Sequence, residues 1–276
     1  MNTQQVVTPV KTGSWNEHIQ TYYGNLTIGG LDMHFLTACN LGKRYGEGPA
    51  AVEAVRGVDL CVGRGEFVAV MGPSGSGKST LLSMLGALAS PSGGSYTVDG
   101  TDIGALDSEQ RADFRRDTLG FVFQSFHLLP ALTLIENVML PLAVVPGSRA
   151  DKLTRARAAL ERVGLADKSG RLPGEVSGGE AERAAVARAI VNRPPLLLAD
   201  EPTGNLDSRT GRHVMELLEG LTHDGVTVVM VTHSSECARY AHRILHMCDG
   251  LIAREEQVQP RLDFLSTSET MTAVAC

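Results

Sequence analysis

No stretch of this chain reaches the roughly 18 to 20 consecutive apolar residues needed to cross a bilayer. The best candidate, Leu128 to Val145, carries Glu136 and Asn137 and is broken by Pro130 and Pro141. Any membrane role is therefore expected to run through a partner. A basic excess is missing as well: 25 Lys and Arg stand against 31 Asp and Glu, a net charge of -6. That balance argues against a binder of nucleic acid, which needs cations to neutralise phosphates. Cysteine spacing of a disulfide framework is also absent. The five cysteines, Cys39, Cys61, Cys237, Cys248 and Cys276, are an odd number in a chain too long to need staples, so reduced thiols are expected. The opening MNTQQVVTPVKTGSWNEHIQ has no apolar core of a signal peptide, and the chain is expected to stay in the cytoplasm. Internal repeats, low-complexity tracts and sustained heptads are not found.

What is present suits a packed domain. A 43% hydrophobic content over 276 residues can bury a substantial core. Residues 1 to 30 are polar and read as an N-terminal extension. From Leu31, LDMHFLTACNL and Val52 to Val62 read as short strands, and EFVAVM at Glu66 to Met71 as a buried one. Leu81 to Ala89 has helical spacing, and Ser95 to Val98 reads as a strand before an Asp99-Gly100 turn. Between about 106 and 190 the reading is mostly helical, which suggests an inserted helical subdomain. PLLLADEPT and VTVVMVTH are two further apolar strands with polar residues at their carboxyl ends, where open α/β sheets place ligands. Residues 257–276 show no strong period and read as a tail.

The chemistry sits at those strand ends. Gly72-Pro73-Ser74-Gly75-Ser76-Gly77-Lys78-Ser79 fits the complete P-loop pattern between a buried strand and a helix start. The glycines let successive backbone N–H groups curl around phosphates, and the helix adds its positive dipole end. Lys78 would reach the β and γ phosphates, Ser79 would offer a hydroxyl to Mg2+, and Thr80 the next hydrogen bond. Leu196 to Ala199 end in Asp200 and Glu201, which is the Walker B arrangement. Asp200 would hold the Mg2+ shell and Glu201 would accept a proton from the attacking water. Alone, such an acid pair is commonly a solvated strand end; with the P-loop upstream, the two define a nucleoside triphosphatase.

Val176-Ser177-Gly178-Gly179-Glu180 precedes a helical stretch, Ala181 to Ile190. A hydroxyl, bare amides and a helix start there converge as a second anion site, although a lone Ser-Gly-Gly is far more often a loop. With the P-loop and Walker B strand in this order, the pattern resembles the LSGGQ signature of ABC ATPases. The wording NLGKRYG, GPSGSGKSTLL, FVFQSFHLLPALTLIENVMLP and LLLADEPTGNLD is similar to the MacB, LolD and FtsE-like group. The resemblance covers about Leu31 to Glu255.

That resemblance implies an α/β fold: a P-loop NTPase with a mixed RecA-like core, an antiparallel β subdomain and an inserted helical subdomain, over 31–256. It makes Gln124 the Q-loop ligand of Mg2+, Asn205-Leu206-Asp207 the D-loop, and His233 the switch that contacts the γ-phosphate and orients the water. Tyr45 resembles the aromatic that stacks on adenine, while packing at a strand end remains its alternative. Ser177, Gly178 and Gly179 would complete the ATP site of a second copy, or of a homologous ATPase, in a head-to-tail dimer. The implied function is ATP hydrolysis driving export or extrusion of lipoprotein, peptide or antibiotic-type cargo. It would act through an integral membrane permease with a large outer domain, from the cytoplasmic face of the membrane. A regulatory ATPase of an envelope or cell-division complex, moving no cargo, is the alternative. Phe126, His127, Leu128 and Leu129 are the expected grip on the permease; packing inside the helical subdomain is as plausible for the leucines. Two departures stand out: Val176 replaces the signature leucine, and Glu182 stands where a glutamine is usual. Glu182 is expected to place an acid near the bound triphosphate.

Overall fold

The computed structural model describes residues 27–28, 31–32 and 34–258, with side chains from His34 onward. Most of the extension and of the tail lies outside the described residues. Strands β1 (Thr27–Ile28) and β2 (Leu31–Asp32) form a small antiparallel pair. Two long strands follow, β3 (His34–Tyr45) and β4 (Val52–Gly63). Together with β6 (Gly93–Val98) and β7 (Thr101–Asp102) they make a four-stranded antiparallel sheet in the order β4-β3-β6-β7. Register shifts at Leu41 and between Lys43 and Arg44 mark irregularities in β3, close to Asn40 at φ +46 and to Gly42.

The second sheet carries the chemistry. It contains β5 (Phe67–Met71), β8 (Leu119–Val122), β9 (Leu196–Asp200), β10 (Thr227–Thr232), β11 (Arg243–Cys248) and β12 (Leu251–Gln257). Their order is β12-β11-β5-β10-β9-β8, parallel throughout except for the antiparallel β11–β12 edge. Strands β5, β9 and β10 are continuous apolar runs because both faces are covered. Phe67, Ala69, Leu197, Ala199, Val228 and Met230 point into one core, while Val68, Val70, Leu196, Leu198, Val229 and Val231 point into the other. One residue of register slip would exchange these two sets.

Helices cover that sheet. They are α1 (Lys78–Leu85), α2 (Ser108–Thr118), α3 (Leu134–Met139), α4 (Arg149–Arg162), α5 (Gly178–Ile190), α6 (Ser208–His223) and the one-turn α7 (Ser235–Ala238). Capping boxes fix the starts of α2 through Asp107 and Gln110, α3 through Thr133 and Glu136, α4 through Ser148 and Asp151, and α5 through Ser177 and Glu180. Each such cap contributes about 1 kcal/mol. The stretch expected to be mostly helical also holds β8, which pairs with β9 at the edge of the core sheet. Helices α3, α4 and α5 pack on one another around Leu134, Val138, Leu160 and Ala184.

Candidate functional site

Parallel register sets three strand ends level with one another: Met71 lies opposite Thr232, and Asp200 opposite Val231. The residues that come next in the chain are Gly72, Glu201 and His233, so all three leave the sheet at the same edge.

The loop after β5 folds as it does because two positions admit no side chain. Gly77, the N-terminal cap of α1, has φ +100, and a Cβ there would lie 2.1 Å from the Ala54 carbonyl oxygen. A Cβ at Gly72 would lie 2.1 Å from the Met247 carbonyl oxygen. Crowding by β4 and β11 therefore bends the loop over the helix start. No side chain caps α1, which leaves its first N–H groups for an anion. Lys78 is 8% exposed and donates from Nζ to Gly72 O and Pro73 O, both at 2.8 Å. The ammonium is thus curled over its own loop. Ser76 Oγ is buried without a hydrogen-bond partner, an orphaned group inside a cradle of donors, as an anion site would leave it.

Across from the helix start, Ser79 Oγ donates to Asp200 Oδ1 at 3.3 Å. Burial pushes the Asp200 carboxyl above the usual carboxylate range; the Ser79 bond opposes this, Glu201 adds to it and Lys78 opposes it. A partly buried carboxylate beside a hydroxyl is a hard oxygen pair that fits Mg2+, which takes one or two carboxylates and leaves its other positions to water and phosphate. Among the described residues no cluster of three or more His, Cys, Asp or Glu side chains forms a self-sufficient metal site.

Glu201 sits in the left-handed region at φ +49, with its N–H donating to Val231 O at 2.9 Å. Strain of order 1 kcal/mol in a non-glycine residue is held there by the sheet. The turn aims the carboxylate at His233, whose Nδ1 lies 2.7 Å from Glu201 Oε2. Glu201 is 14% exposed and His233 68%, so the pair spans from the core to open solvent. Gln124 reaches the same place. A Cβ built on Gly204 would lie 3.4 Å from Gln124 Nε2 and 3.6 Å from Glu201 Cβ, and Asn205 Nδ2 donates to Gln124 O at 2.8 Å.

Ser177 begins α5, where its Oγ accepts from Glu180 N at 3.3 Å and its own N–H donates to Glu180 Oε2 at 3.1 Å. Gly179 is pressed against Thr210 of α6. Among the described residues no hydrogen bond joins Ser177, Gly178 or Gly179 to the P-loop of the same chain. Tyr45 is 46% exposed at the end of β3 with Lys43 Nζ 5.1 Å from its ring centroid, so the ring is not packed into the core. Phe126 is half-buried, Leu128 packs against the core and Leu129 is exposed. Glu182 departs from expectation: it is 1% exposed, with both carboxylate oxygens buried and without a hydrogen-bond partner, so it is an enclosed acid and not an open one. Burial raises its carboxyl to about 8, with Arg188 opposing.

Two positioning side chains carried no sequence signal. Arg188 on α5 donates to Phe126 O at 2.6 Å and to His127 O. Asn137, 0% exposed, accepts from Leu129 N and donates to Leu129 O, Leu132 O and Thr133 O. Both look in sequence like ordinary helix residues.

Fold and loop are those of a P-loop nucleoside-triphosphate hydrolase. The sequence profile of the ABC transporter family matches residues 55–204, and the chain belongs to that family. Over 218 residues it is 47% identical to the macrolide export ATP-binding/permease protein MacB 1/2 of Paracoccus denitrificans, a match covering 79% of this chain and 32% of that protein. The chain thus spans about a third of the length of that relative. It is 44% identical over 217 residues to the uncharacterized ABC transporter ATP-binding protein MJ1508 of Methanocaldococcus jannaschii, covering 79% of this chain and 97% of that one. A solved dimeric structure of the ATP-binding cassette MJ0796 in a post-hydrolysis state, bound to ADP and Pi, is 42% identical with a TM-score of 0.76, covering 82% of this chain and all of that one. The mixed core, antiparallel sheet and helical layer expected from the sequence are those of this ABC ATPase fold.

Proposed function

We propose that this chain is the ATP-hydrolysing subunit of an ABC export system, working as a dimer beneath a membrane permease at the cytoplasmic face of the membrane. The observation that carries the reading is the meeting of Lys78, Ser79, Asp200, Glu201, His233 and Gln124 at one edge of the parallel sheet. In this reading Gly72, Pro73, Ser74, Gly75, Ser76 and Gly77 cradle the phosphates. Lys78 leaves its own carbonyls for the β and γ phosphates, Thr80 adds a hydrogen bond, and exposed Tyr45 stacks on adenine. Ser79, Asp200 and Gln124 hold Mg2+, which when bound neutralises charge developing on the transferred phosphoryl group.

Glu201 accepts the proton of the attacking water, and His233, hydrogen-bonded to it, holds that carboxylate in place and contacts the γ-phosphate. Ser177, Gly178 and Gly179 start α5 and make no hydrogen bond to the P-loop of their own chain among the described residues; the anion site they form is given the triphosphate of a second protomer. Closure of such a dimer would be driven by the shared nucleotide and released by hydrolysis. The residues at 126–129 would transmit that motion to the permease, whose outer domain handles the cargo.

Glu201→Gln tests the assignment. The variant is expected to form an ATP-dependent dimer, by size-exclusion chromatography, with ATP turnover lowered at least a hundredfold. Full ATPase activity would refute Glu201 as the base.

A further inference from the structure

The segment from Phe123 to Pro130 has no regular hydrogen-bond ladder of its own, and two of its residues are strained: Phe126 at φ +59 and His127 at φ +48. Beyond local turns, with Phe126 N donating to Phe123 O at 3.1 Å and His127 N to Ser125 O at 2.5 Å, its carbonyls are held by side chains from elsewhere. Arg188 of α5 takes Phe126 O and His127 O, and buried Asn137 of α3 takes Leu129 O. Gln124 O is taken by Asn205 Nδ2 at 2.8 Å.

Asn205 lies in a tight turn with three contacts of consequence. The turn closes on Glu201 through Gly204 N to Glu201 O at 3.0 Å, and its Gly204 faces the Gln124 amide. On its other side Leu206 lies 3.8 Å from where a Cβ on Gly178 would stand. Asn205 is exposed, so truncating it opens no cavity and strands no buried group. A donor in that position contributes to where Gln124 points far more than to whether the chain folds.

We propose that Asn205 is a positioning residue for Gln124: its side-chain amide tethers the Gln124 carbonyl to the 202–207 turn, so that movement of that turn moves the magnesium-binding glutamine. This rests on the reading of Gln124 as a Mg2+ ligand. The same turn carries Leu206 beside Gly178 of its own chain, so a shift of the Ser177 loop would reach the metal site through the tether.

The tether is tested on the full chain with Asn205→Ala and with Asn205→Asp, which keeps the shape but replaces the donor by an acceptor. Amide hydrogen exchange without nucleotide is expected to quicken about 3- to 10-fold across 123–129, the weight of one hydrogen bond, and to stay unchanged across 72–80. Binding of the non-hydrolysable analogue AMP-PNP is expected to need about 3- to 10-fold more Mg2+ in both variants, while its affinity without Mg2+ is kept. Asn205→Ala added to Gln124→Ala is expected to shift the Mg2+ requirement no further. Unchanged exchange over 123–129 overturns the tether, and so does an unchanged Mg2+ requirement where Gln124→Ala raises it. If Gln124→Ala leaves that requirement alone, the ligand assignment fails, and the exchange measurement by itself decides whether Asn205 holds the loop.

Discussion

Glu182→Gln should stabilise this protein, and by an amount that grows with pH. The carboxyl is 1% exposed, neither oxygen has a hydrogen-bond partner, and its pKa rises from 4.5 to about 8 through burial. A raised carboxyl pKa means that the folded chain holds a proton the unfolded chain gives up. Below about pH 4.5 both states are protonated and the side chain costs nothing on this account. Above it the unfolded state ionises freely, and the folded state loses stability at about 1.4 kcal/mol per pH unit until about pH 8, where the loss levels off. The accumulated cost is about 3 kcal/mol at pH 7 and approaches about 5 kcal/mol above pH 8. Glutamine has nearly the same shape and no ionisation. Its own desolvation cost is nearly independent of pH, so the slope isolates the proton. Urea unfolding of both proteins at pH 5.5, 7.0 and 8.5 reads the difference. The advantage of the glutamine variant is expected to widen by about 2 kcal/mol between the first two conditions. An advantage that stays constant with pH would show that the carboxyl is ionised or solvated in the folded state.

Two further perturbations probe the scaffold around the site. Asn137→Ala removes the bonds to Leu129, Leu132 and Thr133 at a fully buried position and is expected to cost about 3 kcal/mol in urea unfolding; a loss under about 1 kcal/mol would mean that the loop is held by other contacts. Gly77→Ala drives a Cβ onto Ala54 O at a backbone φ of +100 and is expected to abolish ATP-analogue binding, measured calorimetrically, with at least about 2 kcal/mol lost in stability. Wild-type affinity in that variant would contradict the packing argument.

The parts legible in sequence are those whose physics is local. The P-loop is one contiguous run between an apolar strand and a helix, and the Asp200-Glu201 pair ends another such strand. Strand β8 was not legible, because Leu119–Val122 is four residues long and adjoins a helix, so only its pairing with β9 identifies it. In the antiparallel sheet, Val52 to Val62 reads as a strand almost to the ends of β4 (Val52–Gly63), whereas LDMHFLTACNL stops at Leu41, short of the end of β3 at Tyr45, because Gly42 reads as a strand end. The burial of Glu182 is legible from its position even though its charge suggests an exposed site. Ala185, Val186 and Ala189 lie at three, four and seven residues beyond it, which puts it on the buried face of α5 by helical periodicity alone. The roles of Arg188 and Asn205 in holding the glutamine loop rest on contacts across 62 and 81 residues, and no local pattern announces those.

In the proposed dimer one nucleotide is gripped by two protomers. A structure of Glu201→Gln with Mg-ATP measures this directly. Ser177 of the partner subunit is expected within hydrogen-bonding distance of the triphosphate that Lys78 holds. An assembled, ATP-loaded state in which that serine stays far from every phosphate would contradict it.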